Sequence, residues 1–201
     1  VEFTEEEILL DGKPSESAWE KATTLQGFTP FEPTTEVEAR FKVETKILSK
    51  RDALYFFIQV HVPESELNAP LALRDSRANK DRVSIQLDPY GDGRRAYSFT
   101  VTPSAVLMDG LMRGDEEANE VDKAWNSLFD AATEIHPDYW TAEVKVPYQS
   151  LRFEEGAKQF NSHIFIYAWK AQQALSWVPI DRDETNWLPQ MGTLDGLQNP
   201  E

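Results

Sequence analysis

The sequence predicts an all-β fold, an antiparallel β-sandwich of jelly-roll or immunoglobulin-like type with one short N-terminal helix. Short runs alternate apolar and polar residues with a period of two, as half-buried strands do. Clusters of Gly, Pro, Asp and Ser punctuate those runs at roughly ten-residue spacing. Only one stretch reads as a helix. At 201 residues the chain fits a single domain over residues 1–201, since sandwiches of this length commonly form one unit.

Taken in order, Ile8, Leu9 and Leu10 run into the turn Asp11-Gly12. Pro14-Ser15 then opens the helix, which the pattern carries through Ala22 with Ser15 as N-cap and Trp19 as apolar anchor. Pro30 and Pro33 mark an extended connector. From Val37 to Ile47 the alternation predicts a strand, with Val37, Ala39, Phe41, Val43 and Ile47 on one face. After the turn at Ser49–Asp52, Leu54, Phe56, Ile58, Val60 and Val62 repeat the pattern. Here the other face carries Tyr55, Phe57, Gln59 and His61, so this strand is expected at the centre of a sheet, covered on both sides.

Asn68 to Lys80 reads as a polar loop. Val83, Ile85 and Leu87 lead into the turn Pro89-Tyr90-Gly91-Asp92-Gly93, and Tyr97, Phe99 and Val101 return from it as a hairpin. A third short strand runs to Gly110. Asp115 to Asp122 is an acidic insertion. Phe129–Ile135 and Trp140–Val146 flank the turn His136-Pro137-Asp138, and Pro147 ends the second strand because it cannot donate to a ladder. In the late strand Ile164, Ile166 and Ala168 form one face, while Phe165, Tyr167 and Trp169 form the other.

The formal net charge is −15, from 20 Lys and Arg against 35 Asp and Glu, which argues against a nucleic-acid or anionic-membrane partner. Without cysteine there are no disulfides, thiolate metal sites or thiol nucleophiles. No apolar run reaches the length of a membrane span. His61, His136 and His163 lie on different elements without metal-ligand spacing. Nucleophile elbows, phosphate loops and zinc-protease motifs are missing from the sequence, and no pair of carboxylates stands out, so the chain reads as non-catalytic. Asp88, Asp92 and Asp109 sit at strand ends and turns where hard oxygen ligands gather, a pattern that suits structural calcium. Among the six tryptophans, Trp177 and Trp187 lie in loop-like sequence beside Asp181, Arg182, Asp183 and Asn186. Indole faces stack on sugar C–H groups while such polar neighbours bind hydroxyls, which points to an oligo- or polysaccharide.

LDGKPSESAWEKA, DALYFFIQVHVPE, LRDS, DRVSIQLDPYGDGRRAYSFTVTP, DYWTAEVKVPYQSLRF and MGTLDGL occur in that order over nearly the whole chain. Together they resemble the family 9 carbohydrate-binding-module-like domains of the wider DOMON-like sandwich group. The LRDS, DPYGDGRRAY and VPYQSLRF variants are most similar to a bacterial subgroup of exported, periplasmic or outer-membrane-associated proteins. In that subgroup the module precedes a region resembling a β-barrel. Sugar-binding members of the family hold a sugar between two tryptophans and bind calcium. The resemblance implies Trp177 as one stacking platform, and Trp187, Arg74 and Arg94 are candidate helpers beside it. The other tryptophan position falls in NAPLALRDSRANK, which has no aromatic residue. Two alternatives follow from the same group. One is an interaction domain docking on the C-terminal barrel of its own chain. The other is a haem domain using Met108 or Met112 with a histidine as axial ligands.

Overall fold

A computed structural model describes residues 1–71, 73, 80–114, 121–122 and 124–198. Arg74 and most of the acidic insertion lie outside that set. In chain order the first elements are β1 (Glu2–Phe3), helix α1 (Ala18–Lys21), β2 (Thr23–Leu25), β3 (Thr29–Glu32), β4 (Val43–Ser49) and β5 (Ala53–Val60). There follow β6 (Arg82–Asp88), β7 (Arg95–Val101), β8 (Leu107–Arg113), β9 (Val121–Asp122) and β10 (Asp130–Ile135). The chain closes with β11 (Trp140–Pro147), β12 (Gln159–Ala168), β13 (Gln173–Ser176) and β14 (Gly192–Asp195).

These strands form two sheets. The first runs β1-β4-β5-β11-β10, with β2 also pairing β4; the second runs β3-β13-β12-β6-β7-β8-β9, with β14 pairing β12. All pairings are antiparallel except β1 with β4. The predicted sandwich is the observed one. Ile47, Phe56, Ile58, Val144 and Val146 of the first sheet pack with Ile85, Phe99, Val101, Ile164 and Ile166 of the second in one buried cluster. Burying such side chains stabilises each by about 1.5–3 kcal/mol, so the alternation supplies the main driving force of the fold.

The strand predicted as central is central: β5 lies between β4 and β11, and its second face is covered as well. There Tyr55 and Phe57 pack with Leu48, Ile8, Ala18 and Trp19, so the N-terminal arm and α1 form a lid on the first sheet. The helix is shorter than predicted and Ser15 is not its cap; Ser17 holds that position without a side-chain hydrogen bond. Its C-terminal limit is set by pairing, because Thr23 to Leu25 are drawn into a ladder with β4. The alternation over Val37–Lys42 is likewise not a strand. Here the chain crosses from β3 in the second sheet to β4 in the first, and the backbone N–H of Arg40 donates to the Gln173 side chain instead of a neighbouring strand.

Candidate functional site

The outer face of the second sheet carries two apolar clusters of its own. Phe31, Phe165, Ala174 and Ile180 pack with Tyr167 and Trp187, while Ala96 and Met112 pack with Leu188 and Met191. The segment after β13 therefore covers part of this face, and a groove of about 420 Å3 remains at one end. Registration of β6 with β12 sets Arg82 opposite Tyr167, and the guanidinium carbon lies 3.6 Å from the ring centroid. A cation held on an aromatic face in this way is fixed in orientation, and Arg82 Nη1 also donates to Lys80 O at 3.3 Å.

β12 ends at Ala168, and a turn closed by Gln172 N–H donating to Trp169 O (3.0 Å) leads into β13. The turn leaves the Trp169 ring 48% exposed at the rim of the groove. Asp81 anchors it. One carboxylate oxygen accepts the Trp169 backbone N–H and the other accepts that of Asn68 at 3.1 Å. Asp81 is buried, and burial raises its pKa against the opposing pull of those amide donors. Across the groove lie Glu32, Pro33 and Arg182, whose guanidinium donates to the Pro33 carbonyl. An apolar ring, two oriented guanidinium groups and one carboxylate thus converge on a small concave space.

The sequence-predicted residues are dispersed by comparison. Arg74 lies outside the described residues. Trp177 follows β13, packs half-buried against the central core, and lies over Gly192, where a Cβ would come within 2.8 Å of the ring. Trp187 packs edge-on to Phe31 with ring centroids 5.8 Å apart, which makes it part of the cover over the sheet. Neither lines the Trp169 groove. Arg94 stands in the β6–β7 turn, near the other end of the second sheet.

The three predicted metal ligands are not brought together among the described residues. Asp88 is buried and staples its own turn, accepting the backbone N–H groups of Tyr90, Gly91 and Gly93 at 3.1, 2.9 and 2.8 Å. Asp92 caps the Arg94 N–H at 2.9 Å, and Asp109, on β8, accepts the Ser127 N–H at 2.7 Å. Among the described residues no three carboxylate or imidazole side chains converge. Each of the three carboxylates instead accepts backbone N–H groups of nearby turns and loops. The residues of the haem alternative lie in the interior. Met108 and Met112 are buried, the latter among Ala96, Leu188 and Met191, while the buried His163 engages Trp187 O through Nε2 at 3.2 Å.

The sequence profile of the "carbohydrate family 9 binding domain-like" family matches residues 10–186. The chain belongs to that family. Similar solved structures include a family 9 carbohydrate-binding module from Caldicellulosiruptor kristjanssonii in complex with glucose. It is 13% identical, with a TM-score of 0.71, covering 100% of this chain and 96% of that one. The same organism's module in complex with cellotriose is 13% identical, with a TM-score of 0.68 and coverage of 100% and 94%. A putative carbohydrate-binding protein from Bacteroides uniformis is 16% identical, with a TM-score of 0.74 and coverage of 97% and 96%. Among curated proteins no sequence match is found. At such identities the likeness to these structures is one of fold, and the family 9 profile assigns the chain to the carbohydrate-binding modules. No helix among the described residues is long and apolar enough to cross a membrane.

The residues that build the groove in this family 9 module were visible in part. Trp169 ends an aromatic alternation immediately before the polar turn Lys170–Gln172, a position where a strand-borne ring loses its cover. Arg82 and Asp81 open the D-R-V-S-I-Q-L-D strand. Their meeting with Tyr167 and Trp169 depends on β6 lying beside β12, and sequence spacing does not encode that.

Proposed function

We propose that the chain is a non-catalytic module of an exported bacterial protein that binds an oligo- or polysaccharide at the Trp169 groove. The single observation that carries this reading is the exposed Trp169 ring beside Arg82 and Arg182 in a concave site. A pyranose C–H face stacks on the indole, its hydroxyls accept from the two guanidinium groups, and Glu32 accepts from a hydroxyl in return. The glucose and cellotriose complexes of the similar modules support a neutral glucan as ligand. Glycoside hydrolysis normally requires two carboxyl groups roughly 5–10 Å apart. Glu32 is the one carboxylate among the described residues that line the groove, which supports binding without turnover.

Calorimetry of Trp169→Ala against soluble cello-oligosaccharides tests this. Loss of the stacked ring is expected to weaken binding by about tenfold, equivalent to about 1–2 kcal/mol, with an unchanged melting temperature. Trp177→Ala is expected to lower stability by about 2–4 kcal/mol, because its ring is packed between the core and Gly192. A stable Trp169→Ala protein that binds like the parent overturns the groove as the sugar site.

A further inference from the structure

Three arginines meet at the end of the second sheet opposite the Trp169 groove. Arg95 on β7 and Arg113 on β8 are direct cross-strand partners, and Arg94 precedes them in the turn. With Gly114 they line a depression of about 360 Å3. Like charges placed directly opposite in an antiparallel pair are unfavourable. Among the described residues Arg94 and Arg95 have no carboxylate within ion-pair distance, and Arg113 has only Asp122, at 3.9 Å. That arrangement is unexpected on a chain with 35 acidic and 20 basic residues, where carboxylates are in excess.

The backbone holds the cluster together. Gly114 N–H donates to Arg94 O at 2.9 Å, and the Asn186 side-chain amide donates to Gly114 O at 3.1 Å. A Cβ at Gly114 would stand 2.5 Å from Gly93 O, so only glycine permits this approach of the two turns. Pro189 packs against Gly93 from the other side. The three side chains are therefore mounted on a turn and two strand ends tied to one another and to the covering segment.

We propose that Arg94, Arg95 and Arg113 form an anionic-group subsite that takes the carboxylates or sulfate esters of an acidic polysaccharide. This rests on the reading of the chain as a polysaccharide-binding module, and it adds a ligand class that the Trp169 groove does not select. Guanidinium forks match carboxylate and sulfate oxygens in bidentate fashion, and a bound anion relieves the repulsion between Arg95 and Arg113. The acidic surface elsewhere keeps polyanions from binding indiscriminately.

The intact chain is tested by calorimetry against polygalacturonate, dextran sulfate, neutral cellohexaose and, as a polyanion without sugar, poly-glutamate. The double variant Arg95→Gln, Arg113→Gln is expected to weaken binding of polygalacturonate, dextran sulfate or both by about tenfold or more, with cellohexaose binding unchanged. Without ligand the same variant is expected to melt at a higher temperature, since the opposed charges are gone. Preference for polygalacturonate assigns the carboxylate, and preference for dextran sulfate the sulfate ester. The proposal is overturned if the parent binds neither acidic polymer, or if poly-glutamate binds as tightly. It is also overturned if the double variant keeps full affinity, as it would if the arginines served the acidic residues that follow Gly114 in the sequence. Loss of cellohexaose binding in Trp169→Ala concerns the groove alone, so the two readings fail separately.

Discussion

The two outer faces of the sandwich are covered by the same device and differ in what the cover leaves open. On the first sheet the N-terminal arm is held by Glu143, which accepts the backbone N–H groups of Asp11 and Gly12 at 3.0 Å each. Thr141 Oγ1 donates to Gly12 O at 2.7 Å. On the second sheet the segment after β13 is held by His163, whose Nε2–H donates to Trp187 O at 3.2 Å. Each anchor is buried, and each has an atom with no hydrogen-bond partner among the described residues, Glu143 Oε1 and His163 Nδ1. Trp19 seals the first cover at 1% exposure, whereas the second stops short of Trp169 at 48%. A closed cover adds stability; an incomplete one leaves an aromatic ring open to solvent.

The largest expected effect tests that contrast directly. Trp19→Ala should destabilise the fold by about 3–5 kcal/mol, the range for a fully buried aromatic residue. Trp187→Ala, at a half-buried ring, should cost roughly half as much. Equal losses in urea melts would mean that both covers are equally tight.

The second test uses pH. Burial pushes the Glu143 carboxyl up to about 7 from the usual 4.5 and pushes the His163 imidazole down to about 4 from 6.5. Both anchors favour the neutral form, yet their slopes oppose. The Glu143 contribution is fully present below about pH 4.5 and is lost as pH rises through about 7. That of His163 is present above about pH 6.5 and is lost as pH falls through about 4. Each amounts to about 3 kcal/mol at most, so between pH 4.5 and 6.5 the two nearly cancel. Glu143→Gln should remove one slope and leave stability rising with pH across that window. Denaturant melts at several pH values check this, and an unchanged profile would refute the role of Glu143.

The smallest effect concerns two turns. The first cover uses glycine where the backbone is left-handed, Gly12 at φ +84°, but the turn that presents Trp169 uses Gln172 at φ +49°. A non-glycine residue there costs about 1 kcal/mol, so Gln172→Gly should raise stability by up to that amount. Gly12→Ala should lower it by more, because its Cβ would also meet the Thr133 backbone at 3.2 Å. Thermal melts of the two variants are expected to shift in opposite directions.

These contrasts show what the sequence made legible. Alternation identified the strands, and the doubly apolar run of β5 identified its central place, because burial on each face is written residue by residue. Alternation does not encode pairing. Val37 to Lys42 alternates yet connects the two sheets, and Trp169 continues a strand pattern just past the point where the ladder ends. The same limit applied to the site. Asp88 has the side chain of a metal ligand, and its use by three backbone amides depends on a turn geometry that its neighbours only partly specify. Arg95 and Arg113 become a pair only through the β7–β8 register.

The central pairings also bear on how the chain reaches this structure. β11 adds to β5, and β12 adds to β6, so each sheet is completed by a strand from the far half of the sequence. Hairpins such as β4–β5 and β6–β7 need only local loops, but neither sheet is whole until the later strands arrive. Such non-local topology places folding in the slow range for domains, with the entropy of long loop closure met before the core rewards it. As the chain emerges from the ribosome, β5 and β6 each wait with one edge unpaired and apolar faces uncovered. An unprotected edge of that kind is a template for pairing with other chains, so the vulnerable period for aggregation lasts until β11 and β12 have docked.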